Sequence, residues 1–203
     1  MVDPAVARHF SRAAAGYSRL RGAGPLRRMR SREHAAVQEL ADIAPGAVVL
    51  DAGCGDGVTL SWLRDRGARG LGIDLTMPMA RLCASRGFLV IVQDLEQLGL
   101  RPIFDWVLCI GALEFVADPS RALKNLGACL APHGTLVLLY PRKGPLGILY
   151  ALYHRTHGAR IHLFDDDDIT ALLSGAGLAP PIRRRDCTLS SVCTTVSASQ
   201  EQR

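Results

Sequence analysis

The chain has 203 residues, of which 48% are hydrophobic and 21% are charged, and its formal net charge at pH 7 is +5. This composition excludes an intrinsically disordered chain and is typical of a single globular domain that buries a core. No apolar run reaches the roughly 18 residues that a membrane-spanning helix requires, so we expect no transmembrane segment.

The cysteines and the N-terminus predict a cytoplasmic protein. The six cysteines include no C-x-x-C pair and mostly fall in apolar segments, as reduced core cysteines do. Residues 1–4 lack the charged and apolar regions of a signal peptide. The N-terminal region is rich in arginine, but aromatic residues make up only 5% of the chain, so we do not favour nucleic acid as a partner.

Strand-like and helix-like segments alternate along the chain, which predicts a mostly parallel sheet. The alternating polar and apolar residues near the C-terminus favour a hairpin at the sheet edge over a buried strand. The predicted order is helix 4–20, helix 25–43, strand 47–51, helix 57–67, strand 69–74, helix 77–86, strand 88–93, strand 104–110, helix 119–130 (ended by residues 132–134), strand 134–140, helix 145–157, helix 166–175, and an antiparallel pair of strands at 181–187 and 190–197.

A glycine-rich turn follows the first predicted strand and leads into a helix. Its glycines fall at 53, 55 and 57, in the order G-x-G-x-G, and an acid precedes them at Asp51. Glycine allows positive φ and close approach of a ligand to the main chain. The dinucleotide fingerprint has the different spacing G-x-G-x-x-G, and the carboxylates of Asp51 and Asp56 would repel a pyrophosphate. The turn therefore favours a cationic ligand over a dinucleotide.

Acidic residues also stand at the ends of the next two strands. Asp74 ends the second strand, 23 residues beyond Asp51, and its two oxygens can accept hydrogen bonds from both ribose hydroxyls of a nucleoside. Asp94 follows the third strand, and the fourth strand, 104–110, ends at the same sheet edge. In parallel sheets this edge is where nucleotides bind.

These four motifs, in this order, resemble those of the class I S-adenosylmethionine-dependent methyltransferases. The resemblance implies an α/β fold: a three-layer sandwich with a mostly parallel, seven-stranded, Rossmann-like sheet whose last strand is antiparallel. In the family, an acid after the third strand binds the adenine amino group. The resemblance implies that S-adenosyl-L-methionine is bound by Asp51, Gly53, Cys54, Gly55, Asp74, Leu75, Asp94, Leu95, Cys109 and Tyr17.

The first helix, 9–17, and the stretch 109–116 are similar to small-molecule methyltransferases that act on quinone or biotin precursors. The resemblance implies one domain over 1–203, with a helical lid at 1–43 and an insertion at 142–164 over the acceptor pocket. Metal-dependent catechol-type relatives carry acid and histidine ligands after strand four. This chain has Gly111 and Phe115 there and retains only Glu114, so we expect no catalytic metal.

We expect O-methylation of a small, largely apolar metabolite, in a monomer or homodimer. Methylation of a hydroxyl needs a base, and the candidates are His154, His157 and Glu114. A histidine base would titrate near pH ~6–7. The apolar segment 145–153 is either a pocket wall or a peripheral membrane contact. An RNA or protein methyltransferase, and a non-catalytic cofactor-binding partner of another enzyme, remain open as alternatives.

Overall fold

The computed structural model describes residues 4–13 and 24–201 and contains a seven-stranded sheet. Its strands are β1 (Val48–Ala52), β2 (Arg69–Asp74), β3 (Leu89–Val92), β4 (Phe104–Ile110), β5 (Leu130–Pro141), β6 (Arg183–Asp186) and β7 (Ser190–Val196). The strand order is β3-β2-β1-β4-β5-β7-β6. The first five strands pair in parallel, and β7 is antiparallel to both β5 and β6. The predicted seven-stranded, Rossmann-like fold is confirmed.

Helices connect the strands, and their starts follow from local capping. In the helix Pro119–Ala128, Pro119 occupies the first turn and the side chain of Asp118 accepts a hydrogen bond from the backbone N–H of Arg121. At the start of the helix Asp166–Gly175, Asp165 and Asp168 form a reciprocal capping box. The helices are α1 (Pro4–Ala13), α2 (Gly24–Leu40), α3 (Val58–Asp65), α4 (Met77–Ala84), α5 (Pro119–Ala128), α6 (Pro145–Thr156), α7 (Asp166–Gly175) and α8 (Ala198–Glu201); short 3-10 turns span Leu95–Gln97 and Leu113–Phe115.

The core forms two layers, one on each face of the sheet. Alternate residues of β5 divide between them: Leu136 and Leu138 pack with α5 and α7, whereas Val137 and Leu139 pack with α2 and α3. Full burial of one such side chain contributes about 1.5–3 kcal/mol of hydrophobic free energy. This division produces the predicted three-layer sandwich and leaves the carboxyl ends of β1 to β5 at one edge.

Two local predictions near the C-terminal half are wrong. The fifth strand begins at Leu130 and includes residues 132–134, which were predicted to end the preceding helix; the pairing with β4 is irregular there, and His133 has a φ of 69°. The predicted antiparallel hairpin does lie at the sheet edge, but only β6 is the edge strand, and β7 is buried between β5 and β6. Polar side chains of β7 find partners in other segments: the hydroxyl of Thr195 donates to the carbonyl of Ala179, and that of Ser190 donates to Glu33.

Candidate active site

The glycine turn after β1 is held against the end of β2. The backbone N–H groups of Gly53 and Cys54 both donate to the carbonyl of Ile73, at 2.8 Å. Gly53 and Gly55 have φ angles of 83° and 52°, in the left-handed region that disfavours side chains. A Cβ at Gly53 would lie 2.4 Å from the Cβ of Ala112. Position 53 therefore requires glycine both because of its positive φ and because a side chain would clash with Ala112.

Asp74 connects the glycine turn to the start of α4. Its Oδ2 accepts a hydrogen bond from the N–H of Gly55 at 3.1 Å, and its Oδ1 accepts from the N–H and the hydroxyl of Thr76 at 2.8 and 3.1 Å. Burial raises the pKa of Asp74 above its usual range, while the hydrogen bonds from Thr76 and Gly55 oppose that rise. The carboxyl group is thus fixed in orientation at the edge where a nucleoside would bind.

One carboxylate oxygen of Asp94 accepts a hydrogen bond from the backbone, and the other accepts none among the described residues. Its Oδ1 accepts a hydrogen bond from the N–H of Glu96 at 3.0 Å and so caps the first 3-10 turn. Its Oδ2 is buried and has no hydrogen-bond partner in the part of the chain that the structure describes. A buried carboxylate oxygen in this position is an acceptor suited to an amino group of a ligand.

Two other acids of the predicted glycine turn, Asp51 and Asp56, lie behind the surface of the cavity. Asp51 is almost completely buried, and its charge contributes to a raised pKa of Cys54, mainly caused by the hydrogen bond to Cys83 and by burial. Asp56 is also buried and forms an ion pair with Arg86. Because Asp56 is paired in this way, it contributes less to repelling an anionic ligand than the sequence suggested.

One cavity of about 1250 Å³ runs from the glycine turn to α1 and α6. Seven of the predicted donor residues line its donor end: Gly53, Cys54, Gly55, Asp74, Leu75, Asp94 and Leu95. Cys109 does not line it, because this side chain is buried in the core; its neighbour Ile110 lines the cavity instead. Asp51 is likewise absent from the lining, and the predicted Tyr17 lies outside the described residues.

An aromatic cluster closes the opposite, acceptor end. The ring of Phe10 on α1 meets that of Phe115 edge to face at 4.9 Å between centroids, and Phe115 meets His154 at 5.0 Å. His9 lies 5.3 Å from His154 and 6.1 Å from His157. These contacts bring α1, the second 3-10 turn and α6 together over the cavity.

The predicted catalytic histidines differ in environment. His154 is buried, and desolvation together with the nearby His9, His157 and Arg30 lowers its pKa to about 4. Its Nδ1 has no hydrogen-bond partner among the described residues. His157 is exposed at the rim, where its Nδ1 lies 2.8 Å from the carbonyl of Tyr153. The predicted titration near pH 6–7 is therefore wrong for His154.

Glu114 is the acid that faces the cavity beside the end of β4. It is fully buried, and desolvation, with a contribution from the charge of Glu33, raises its pKa to about 8. Its Oε1 lies 3.8 Å from the position that a Cβ of Gly111 would take, an ordinary van der Waals distance, so glycine is favoured at position 111 by its φ of 68° and not by the carboxyl group. Its Oε2 has no hydrogen-bond partner within residues 4–13 and 24–201. This oxygen is available to a bound molecule.

Several cavity residues were not anticipated. The hydroxyl of Ser190 donates to Oε1 of Glu33 at 2.6 Å and joins β7 to α2 across 157 positions of sequence. Arg30 and Glu33 lie on the polar face of α2. The sequence of this helix does not distinguish the polar residues that face the cavity from those that face solvent. Among the described residues, no group of three or more His, Cys, Asp or Glu side chains is arranged to hold a metal ion.

Comparison with known proteins identifies a common family. Residues 26–180 match the family described as "Methyltransferase domain". A ubiquinone biosynthesis O-methyltransferase from Bordetella avium (strain 197N) is 28% identical over 164 residues, which cover 71% of this chain and 67% of that protein. A malonyl-[acyl-carrier protein] O-methyltransferase from Pseudescherichia vulneris is 30% identical over 161 residues, covering 78% and 61% of the two chains.

The fold is also similar to that of a solved enzyme. The crystal structure of magnesium protoporphyrin IX methyltransferase from Synechocystis PCC 6803 with bound S-adenosylhomocysteine superposes with a TM-score of 0.77. The two are 22% identical, and the match covers 95% of this chain and 98% of the other. This likeness supports the sheet topology described above.

Asp94→Asn tests whether the buried oxygen of Asp94 accepts a ligand amino group. The amide oxygen can still cap Glu96, but an NH₂ group would replace the free acceptor. We expect the affinity for S-adenosylhomocysteine, measured by calorimetric titration, to fall by about 5- to 150-fold, equivalent to ~1–3 kcal/mol. The matched control is Asp118→Asn, which alters a helix cap outside the cavity. Equal affinities in the two variants would exclude Asp94 from the binding site.

Proposed function

Because the chain belongs to the methyltransferase domain family and is a class I S-adenosylmethionine-dependent methyltransferase, we propose that it methylates an oxygen of a small, largely apolar metabolite in a biosynthetic pathway. One observation carries the proposal: the donor end and the apolar acceptor end belong to the same cavity. The relatives that share the family include O-methyltransferases named for ubiquinone biosynthesis and for malonyl-[acyl-carrier protein].

The donor end fits S-adenosylmethionine, which when bound supplies an electrophilic methyl group on a positively charged sulfur. Asp74 would accept hydrogen bonds from the ribose hydroxyls, and Asp94 would accept from the adenine amino group. Leu75 and Leu95 would pack against the adenine. Gly55, with its φ of 52°, would let the main chain approach the ligand closely.

The acceptor end would mainly position the acceptor. Methyl transfer is an in-line displacement, so alignment of the two reactants supplies much of the rate. Phe10, Phe115 and Tyr150 form apolar walls there, and together with Leu146 and Leu149 they would exclude water and hold an apolar molecule. We assign the lid role to segment 1–43 and the roof role to 142–164, since α1 and α6 lie over the cavity.

Glu114 is the better candidate for the base. Once ionised, a carboxyl group with a pKa of about 8 is a stronger base than an imidazole with a pKa of about 4, and Glu114 becomes ionised as the pH rises through about 8. His154 would then act as a neutral wall residue with a free ring nitrogen. His157 stays a secondary candidate, because it lies at the cavity rim.

The exposed face of α6 supports the predicted peripheral membrane contact of the apolar segment 145–153. Leu146, Ile148, Leu149, Leu152 and Tyr153 are each at least half exposed. We infer a peripheral contact with a lipid bilayer at this face, beside the cavity mouth. Co-sedimentation with anionic vesicles tests this contact, and a protein left wholly in the supernatant would contradict it.

The helices that the structure describes include no candidate membrane span. The cytoplasmic location stays a prediction.

A matched panel of acceptors tests the atom that is methylated. We expect methyl transfer from S-adenosylmethionine to 4-octylphenol or octanoate, and none to octylamine, because the proposal requires an oxygen acceptor with an apolar body. Transfer is measured as label from the donor methyl group in the extracted product. Methylation of octylamine alone, or of transfer RNA while all three amphiphiles stay unmodified, would contradict the proposal.

Glu114→Gln tests the base in the reaction of 4-octylphenol. In the parent protein the rate should rise with pH through about 8, since the carboxyl group must lose its proton to act. The variant should lose this rise and about 10²–10⁴ of kcat, with S-adenosylhomocysteine affinity unchanged. Glu39→Gln, on the exposed part of α2, is the control. An unchanged pH profile in Glu114→Gln would remove Glu114 from the reaction.

Methyl transfer to 4-octylphenol should persist in excess EDTA, because we expect no catalytic metal.

A further inference from the structure

Three arginines line the cavity on the two helices α1 and α2, and the charge of one of them, Arg30, acts on His154 at the acceptor end. Arg8 and Arg12 project from α1, and Arg30 projects from α2. Arg8 and Arg12 are exposed at the rim, and Arg30 is half-buried. None of the three forms an ion pair with a carboxylate in the part of the chain that the structure describes. Their charges are therefore directed at the cavity or at solvent.

The carboxyl groups that line the cavity near Arg30 offset only part of the charge of the three arginines. Glu33 and Glu114 are the carboxyl groups of the same end, and burial keeps Glu114 largely protonated at neutral pH by raising its pKa to about 8. Oε1 of Glu33 accepts a hydrogen bond from Ser190. The positive charge of Arg30 reaches His154, because it is one of the causes of the lowered pKa of that histidine.

The two ends of the cavity thus carry opposite charge. Asp74, Asp94 and Glu96 make the donor end acidic, which suits a sulfonium ligand, whereas α1 and α2 bring three guanidinium groups and the carboxylate of Glu33 to the cavity, an excess of positive charge. Guanidinium is the side-chain group that best recognises carboxylate and phosphate, because its donors form a planar fork. The apolar wall of Phe10, Phe115 and neighbouring α6 residues lies beside it.

We propose that the acceptor is an anionic amphiphile: an apolar body held by the aromatic wall, with a carboxylate or similar anionic group bound by Arg30 and assisted by Arg8 and Arg12. This inference rests on the proposed function, since it names the class of molecule that occupies the acceptor end. It narrows the acceptor from apolar metabolites in general to those that keep a negative charge while bound.

Octanoate and its neutral isostere octanamide test the proposal on protein saturated with S-adenosylhomocysteine. By calorimetric titration at low ionic strength, octanoate should bind about 10-fold or more tightly than octanamide, as expected for a hydrogen bond to a charged group. Arg30→Gln should bring the two affinities to within about 3-fold, and Arg30→Lys should retain part of the preference, because it keeps the charge. Octyl phosphate, titrated in parallel, distinguishes a carboxylate site from a general anion site.

The control is Arg160→Gln, an exposed arginine outside the cavity lining, which should keep the full preference. Circular dichroism verifies that each variant is folded, and the double variant Arg8→Gln/Arg12→Gln gives an independent reading if Arg30→Gln is unstable. Equal binding of octanoate and octanamide to the parent protein, or a preference that survives in both arginine variants, would overturn the proposal. Failure of S-adenosylhomocysteine itself to bind would instead overturn the proposed function.

Discussion

The donor site depends on one interaction, the hydrogen bond from the N–H of Gly55 to Oδ2 of Asp74. This hydrogen bond joins the turn after β1 to the end of β2. Two backbone hydrogen bonds, from the N–H groups of Gly53 and Cys54 to the carbonyl of Ile73, join the same two segments. Left-handed backbone at the glycines makes this approach possible. A carboxylate already fixed by protein donors needs little reorganisation when it receives a ligand, so its remaining acceptor sites are pre-oriented.

Beyond that interaction, the distribution of charge and of aromatic rings differs between the two ends of the cavity. Carboxylates surround the donor end, and buried acceptors there, such as Oδ2 of Asp94, are suited to a ligand that donates hydrogen bonds. The acceptor end combines aromatic rings, a carboxyl group with a raised pKa at Glu114, and arginines. Electrostatic interactions of the buried groups in this cavity, such as Asp94 and Glu114, are stronger than they would be in water, because the local dielectric is lower.

The sequence was sufficient for the fold and for the position of most residues at the donor end, because both depend on local signals. Apolar strand periodicity, glycine spacing and acids at strand ends predicted that Gly55, Asp74 and Asp94 lie at one edge of the sheet, and all three line the cavity there; that they bind S-adenosylmethionine stays a prediction. The acceptor end was harder to predict, since Arg30 and Ser190 reach the cavity only through tertiary packing. The buried position of β7 was missed for the same reason: its hydroxyl groups find partners in distant segments. The environment that lowers the pKa of His154 is likewise a product of packing.

The most direct measurement is calorimetric titration of S-adenosylhomocysteine into Asp74→Ala, with Asp167→Ala, an exposed residue of α7, as the control. Loss of the carboxylate removes both the ribose acceptors and the anchor of the glycine turn. The account predicts that affinity falls by about 10- to 150-fold in Asp74→Ala, equivalent to ~1.5–3 kcal/mol, and stays at the parent value in the control. An Asp74→Ala protein that is folded and binds S-adenosylhomocysteine as tightly as the parent would contradict it.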